Sequence, residues 1–146
     1  MLRGNDPAVV NGQIVRGQRA FCSDRGQRGG CGKTFPLFLA AILPRHTFNA
    51  PLLWALLRKL LGGATIKAAA EILTLPFSLE AVYGLVRRCR RRLDAVRSFL
   101  LRQHPAPVSG QTDPFLQTLE HLQQTFPRDA CALAAYQRHF QNAWLG

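Results

Sequence analysis

Arginine dominates the chemistry this chain can offer. It carries 16 arginines against three lysines, and seven of the arginines (Arg87, Arg88, Arg90, Arg91, Arg92, Arg97 and Arg102) crowd into one stretch. A guanidinium presents a planar fork of donors that matches phosphate oxygens and guanine edges bidentately. The formal net charge is +11 and the pI is about 11.0. That excess is uneven: +5 over residues 1–49, +7 over residues 50–104 and −1 over residues 105–146. A polyanionic partner is expected, met before residue 105, because each phosphate neutralised by a basic side chain releases counterions.

Bond-making chemistry has little to build on. The chain has eight acidic residues, and no close pair of them stands beside a candidate acid or base. His46, His104, His121 and His139 are isolated from one another in sequence, so a non-enzymatic protein is expected. Cys22 and Cys31 are the candidate metal ligands, half of the four that a tetrahedral zinc site uses. No other cofactor is expected. Cys89 and Cys131 fall at positions suited to core thiols. The scattered cysteines do not suggest a disulfide framework, which favours a reducing cytoplasm. The string GGCGKT resembles a phosphate-binding loop, but Gly26 to Gly32-Lys33 is one residue too long for that motif, and Pro36 follows where a helix should begin. Nucleotide binding is therefore not expected.

The elements that must position these residues follow from periodicity and punctuation. Residues 1–48 suit a small β-containing lobe. Val9-Val10 and Gln13–Val15 flank Asn11-Gly12, a hairpin signal. Arg19–Cys22 and Lys33–Phe35 suit two more short strands, with the Gly-rich run Ser23–Gly32 as a loop between them. Leu37–Leu43 is apolar and short, compatible with either strand or helix. Residues 49–104 suit helices. Asn49 caps the first, Pro51 sits in its first turn, Leu52, Leu53, Leu56, Leu57 and Leu60 recur at helical spacing, and Gly62-Gly63 ends it. Thr65 caps a second, alanine-rich helix that Pro76 stops, and Ser78 caps a third. In that third helix Leu79, Val82, Val86, Cys89, Leu93, Val96 and Leu100 form a heptad-like stripe, which predicts one helix over residues 78–103. The stripe suits a core-facing side, with a dimeric coiled coil as the alternative. After a Pro-rich linker, residues 111–146 suit a helical hairpin. One helix opens at Asp113-Pro114 and ends at Pro127, and another is capped by Asp129 and carries Leu133, Tyr136, Phe140 and Trp144.

A short helix of small residues, a brief break at Thr74–Phe77 and a capped restart at Ser78 are the ingredients of a helix-turn-helix. In that motif the second helix enters the major groove and its neighbour braces on the backbone. With Leu79, Val82, Val86 and Cys89 turned inward, the candidate DNA contacts are Ser78, Glu80, Tyr83 and Gly84 on the first turns and Arg87, Arg88 and Arg91 further along. Lys67, near the start of the bracing helix, is placed to meet a phosphate.

The stretch VVNGQIVRGQRAFCSDRGQRGGCGKTF presents Asn11-Gly12, Gly17-Gln18-Arg19, Cys22, Cys31-Gly32 and Thr34-Phe35 in order. Together they resemble the zinc-ribbon region at the start of insertion-sequence transposases and their DNA-binding partner proteins. A helix-turn-helix usually follows that ribbon, and TIKAAAEILTLPFSLEAVYGLVRRCRRRL resembles it. The resemblance spans residues 9–95. It implies recognition of mobile-element DNA in a bacterial cytoplasm. Two departures matter. The usual earlier Cys-x-x-Cys is missing, and the gap from Cys22 to Cys31 is widened, so the implied zinc site is incomplete. The family's catalytic domain also has no room after residue 104, so strand transfer is not implied.

The expectation is thus a mainly α fold: a helix-turn-helix core, a small zinc-ribbon-like N-terminal lobe and a C-terminal helical hairpin. Its expected function is non-catalytic binding of double-stranded DNA. A transcription regulator using the same helix is one alternative. A helical interaction module or homodimer pairing through the 79–100 stripe is another. No apolar run is long enough for a membrane helix, and Met1 is followed by polar sequence unlike a signal peptide.

Overall fold

The computed structural model describes residues 2–3, 17–22, 30–43 and 48–145. The expected hairpin at residues 9–15 and His46 lie outside them. The chain is mainly helical. Three short strands, β1 (Leu2–Arg3), β2 (Gly17–Phe21) and β3 (Thr34–Phe38), precede six helices: α1 (Ala50–Leu61), α2 (Ile66–Ile72), α3 (Leu79–Arg91), α4 (Leu93–Gln103), α5 (Pro114–Thr125) and α6 (Ala132–Phe140). The strands pair antiparallel in the order β1-β2-β3, with Leu2 opposite Ala20 and Arg19 opposite Pro36. The undecided segment 37–43 is neither one long strand nor a helix. It leaves β3, turns at Ala40-Ala41 and forms a single bridge from Ile42 to Asn49.

Local capping explains where most helices begin. The Asn49 side chain accepts from the Leu52 amide at 3.0 Å, Thr65 from Ala68 at 3.1 Å, Ser78 from Ala81 at 3.2 Å and Asp113 from Phe115 at 2.9 Å. Each satisfies a backbone donor that the first helical turn leaves open. Two helices end in the same closing motif. Beyond α1, Gly63 takes a left-handed φ of 95°, and the Ala64 amide reaches back to Lys59 O. Beyond α2, Thr74 stands in the same place at φ 47°, with the Thr74 amide on Glu71 O and the Leu75 amide on Ala70 O. A β-branched residue in this region is strained.

The core gathers on α1, whose Leu53, Trp54, Leu56, Leu57 and Leu60 are buried and which packs against α2, α5 and α6. α5 contributes Phe115, Leu119 and Leu122, and α6 contributes Leu133 and Tyr136. Gln137 of α6 ties distant segments to this core. Its Nε2 donates to Ala40 O at 2.7 Å and Ile42 O at 2.9 Å, and its Oε1 accepts the Trp144 amide at 3.0 Å. A buried amide used at both ends avoids the cost of an unpaired polar group.

Three expectations about the helices need correction. Residues 78–103 are not one helix: the ladder breaks at Arg92, whose amide donates to Cys89 O at 3.1 Å, three residues back. The Arg92 side chain is drawn inward, donating from one terminal nitrogen to Asn142 Oδ1 at 3.0 Å and Ala143 O at 3.1 Å. The last helix is capped by Cys131 rather than Asp129. The Cys131 Sγ accepts from the Ala134 amide at 3.4 Å, while Asp129 is occupied by an ion pair with Arg138 at 2.8 Å. Trp144 lies beyond that helix, which closes at Gln141 with φ 51°. The chain then turns back and buries Trp144 edge-on to Tyr136, with ring centres 5.3 Å apart.

Candidate nucleic-acid interface

α3 is a two-sided helix with respect to both charge and burial. Val82, Val86 and Cys89 are buried. Burial pushes the Cys89 thiol up to about 11, opposed by the neighbouring Trp144 indole. On the opposite side Glu80, Arg87, Arg88 and Arg91 are exposed, and Gly84 between them is half-buried. At 100° per residue, positions 80, 84, 87, 88 and 91 share one face. The arrangement follows from packing: α3 is packed against α2, and Glu80, Arg87, Arg88 and Arg91 on the side away from its buried residues remain exposed.

The turn that sets the orientation of α3 is held by its own apolar residues. Leu73, Leu75 and Phe77 are half-buried against the core, and the Phe77 ring meets Phe48 edge-on at 5.5 Å. The Ser78 oxygen accepts the Ala81 amide, so Ser78 serves first as a helix cap. Glu80 lies in the first turn, where the helix dipole favours negative charge. Lys67 is exposed in the first turn of α2.

Ion pairing sorts the arginines. Among the described residues two ion pairs form, Arg90–Asp113 at 2.7 Å and Arg138–Asp129 at 2.8 Å. Arg90 grips both carboxylate oxygens of Asp113 and lies 4.7 Å over the Phe115 ring. The bidentate contact raises the Arg90 pKa and holds the Asp113 carboxyl below the usual carboxylate range. Arg92 is used internally, as described above. The seven arginines expected to decorate the outside therefore include two that are hydrogen-bonded to remote parts of the chain. The sequence carries no sign of which two, because Asp113, Asn142 and Ala143 are remote in the chain. Arg87, Arg88 and Arg91 form no ion pair with a described residue.

One further finding revises the expected site. Leu79 was expected to face inward, yet it is 40% exposed and lies one turn before Tyr83, which is 44% exposed. The neighbouring α2 has seven residues and packs against α3. The remainder of the heptad stripe packs within the chain, as expected of a core-facing side: Val82, Val86, Cys89, Val96 and Leu100 belong to the core of the described residues, and Leu93 is half-buried against it. This stripe therefore presents no continuous apolar seam to a partner.

Cys22 and Cys31 are brought together at the end of the β2–β3 pair. The Cys22 amide donates to Lys33 O at 2.9 Å, and the Gly32 amide donates to Cys22 O at 3.0 Å. Gly32 adopts φ 66°, and the Cys31 amide donates to Cys22 Sγ at 3.3 Å. Among the described residues no group of three or more His, Cys, Asp or Glu is placed to hold an ion.

No helix among the described residues is long and apolar enough to cross a membrane. The chain matches no protein-family model, and neither the curated proteins nor the solved structures contain a match to it.

Proposed function

We propose that this protein binds double-stranded DNA without catalysing a reaction on it, using α2 and α3 as a helix-turn-helix with α3 as the groove-facing helix. The observation that carries this reading is the set of three exposed arginines, Arg87, Arg88 and Arg91, on the side of α3 opposite its buried residues, without an ion-pair partner among the described residues. Uncompensated cations on one face of a firmly seated helix suit a row of phosphates. Ser78, Glu80, Tyr83 and Gly84 occupy the end nearest the turn, the part of a recognition helix that meets base edges. Glu80 would repel phosphate and accept from a cytosine amino group, so it favours discrimination over raw affinity. Lys67 adds a phosphate contact from the bracing helix.

The likeness of residues 9–95 to the ribbon and helix-turn-helix of insertion-sequence transposases supports a mobile-element target for this binding. In that reading the β2–β3 end with Cys22 and Cys31 is a reduced zinc ribbon.

A fluorescence anisotropy titration against duplex DNA at several salt concentrations tests the proposal. About four phosphate contacts give a log–log salt slope of roughly −3 to −4. Absence of binding at low salt, or a slope near zero, would refute it.

A further inference from the structure

We infer that Gly84 is where the nucleic-acid partner comes closest to the backbone of α3, and that the helix forgoes stability there to admit it. This rests on the DNA-binding reading above and deepens it by naming the point of contact. Gly84 lies inside α3, with five helical residues before it and seven after. It is absent from the glycines with positive φ, so its backbone conformation is open to any residue. A Cβ built on it meets no heavy atom within 4 Å, so internal packing does not call for glycine either. Glycine in a helix interior is nevertheless disfavoured relative to alanine, because the unfolded chain gains conformational freedom.

What remains is an external reason. A bare Cα lets another surface approach a backbone more closely than any side chain allows. Gly84 is placed for that use. One turn before it stands Glu80, and one turn after it stand Arg87 and Arg88, with Arg91 a turn further; all four are exposed. The buried Val82, Val86 and Cys89 lie on the other side. The partner this face fits is a double-stranded polyanion. Its groove floor would meet α3 at Gly84 while phosphates on the groove wall reach the three arginines.

The test pairs thermal melting with duplex-DNA titration for the full chain and for Gly84→Ala and Gly84→Leu. Gly84→Ala is expected to melt about 2 °C higher than the unaltered chain and to bind about tenfold more weakly, the scale of one lost base contact. Gly84→Leu, also a good helix former, should remain folded and bind more weakly still. If the unaltered chain binds and both variants bind equally well, the role of Gly84 is overturned while the DNA reading stands. If Gly84→Ala melts lower than the unaltered chain, the open space at this position is not what it is taken to be, and the inference again fails. If the unaltered chain does not bind duplex DNA, the functional reading fails and this inference with it.

Discussion

α3 and α4 are consecutive pieces of one arginine-rich stretch, yet their surroundings differ. α4 is packed against α5, and its Phe99 meets Tyr136 and Phe140 at ring distances of 6.2 and 5.3 Å. Its Arg102 lies 5.1 Å over the Phe99 ring. α3 rests on α2 and leaves its opposite face to solvent. Between them Arg92 breaks the ladder and anchors the junction to residues 142–143. The presence of an arginine in this stretch therefore does not by itself mean that it is available. An arginine beside a partner from a later helix becomes structural, and an arginine on the unpacked face of α3 stays available for a ligand.

That contrast can be broken at several points. The largest effect is expected at Val86, which is 3% exposed. Val86→Glu buries an unpaired carboxylate and should cost about 4 kcal/mol or more, abolishing cooperative melting by circular dichroism. A variant that stays folded and merely changes oligomeric state would restore the pairing-stripe reading.

Next comes the exposed face of α3. Arg87→Ala combined with Arg91→Ala should weaken duplex binding by about 2–4 kcal/mol, reduce the salt slope by about 2 and leave the melting temperature nearly unchanged. Arg92→Ala should do the reverse. Removing a charged donor from two acceptors costs about 2–3 kcal/mol of stability, measured by urea unfolding. Its effect on DNA affinity at a temperature where it is folded should be small. If Arg92→Ala and the double variant gave the same pattern, the division of the arginines would be wrong.

The Arg90–Asp113 pair gives a smaller and pH-dependent effect. The side chains are 48% and 31% exposed, so solvent screening holds the pair to about 1 kcal/mol or less. Asp113 also caps α5, and Asp113→Ala should therefore cost about 1–2 kcal/mol in total. The Asp113 carboxyl is held below its unfolded value by Arg90. Its contribution is therefore fully present above the unfolded carboxylate range and is lost as pH falls through the lower, folded value. Acid unfolding of the unaltered chain and Asp113→Asn should converge at low pH. Parallel curves throughout would show that the pair contributes nothing.

The smallest effect is expected at Thr74. Thr74→Gly relieves a left-handed β-branched residue and should raise stability by about 0.5–1 kcal/mol, visible as a slightly higher melting temperature. DNA affinity should not fall, because the turn geometry is retained.

Much of this architecture was legible from local physics. Asn49, Thr65, Ser78 and Asp113 each cap the helix that their position announces, because a short polar side chain and the amide it accepts are only two or three residues apart. The strands near Arg19–Cys22 and Lys33–Phe35 were legible for a similar reason, as short runs separated by a Gly-rich insert. The face carrying Glu80, Gly84, Arg87, Arg88 and Arg91 was legible because helical periodicity and the apolar positions opposite it are properties of adjacent turns.

The break at Arg92, the two structural arginines, the exposed Leu79, the Cys131 cap and the return of Trp144 were not legible. No proline or glycine marks residue 92. Its conformation is set by acceptors about 50 residues further along the chain. Gln137 likewise gains its meaning from carbonyls at Ala40 and Ile42. The order of residues thus determined where helices start, which side of each is apolar and where cationic side chains could gather. Only folding in three dimensions decided which of those cations would be claimed by the chain itself, because that depends on which remote carboxylates and carbonyls packing brings within hydrogen-bond reach.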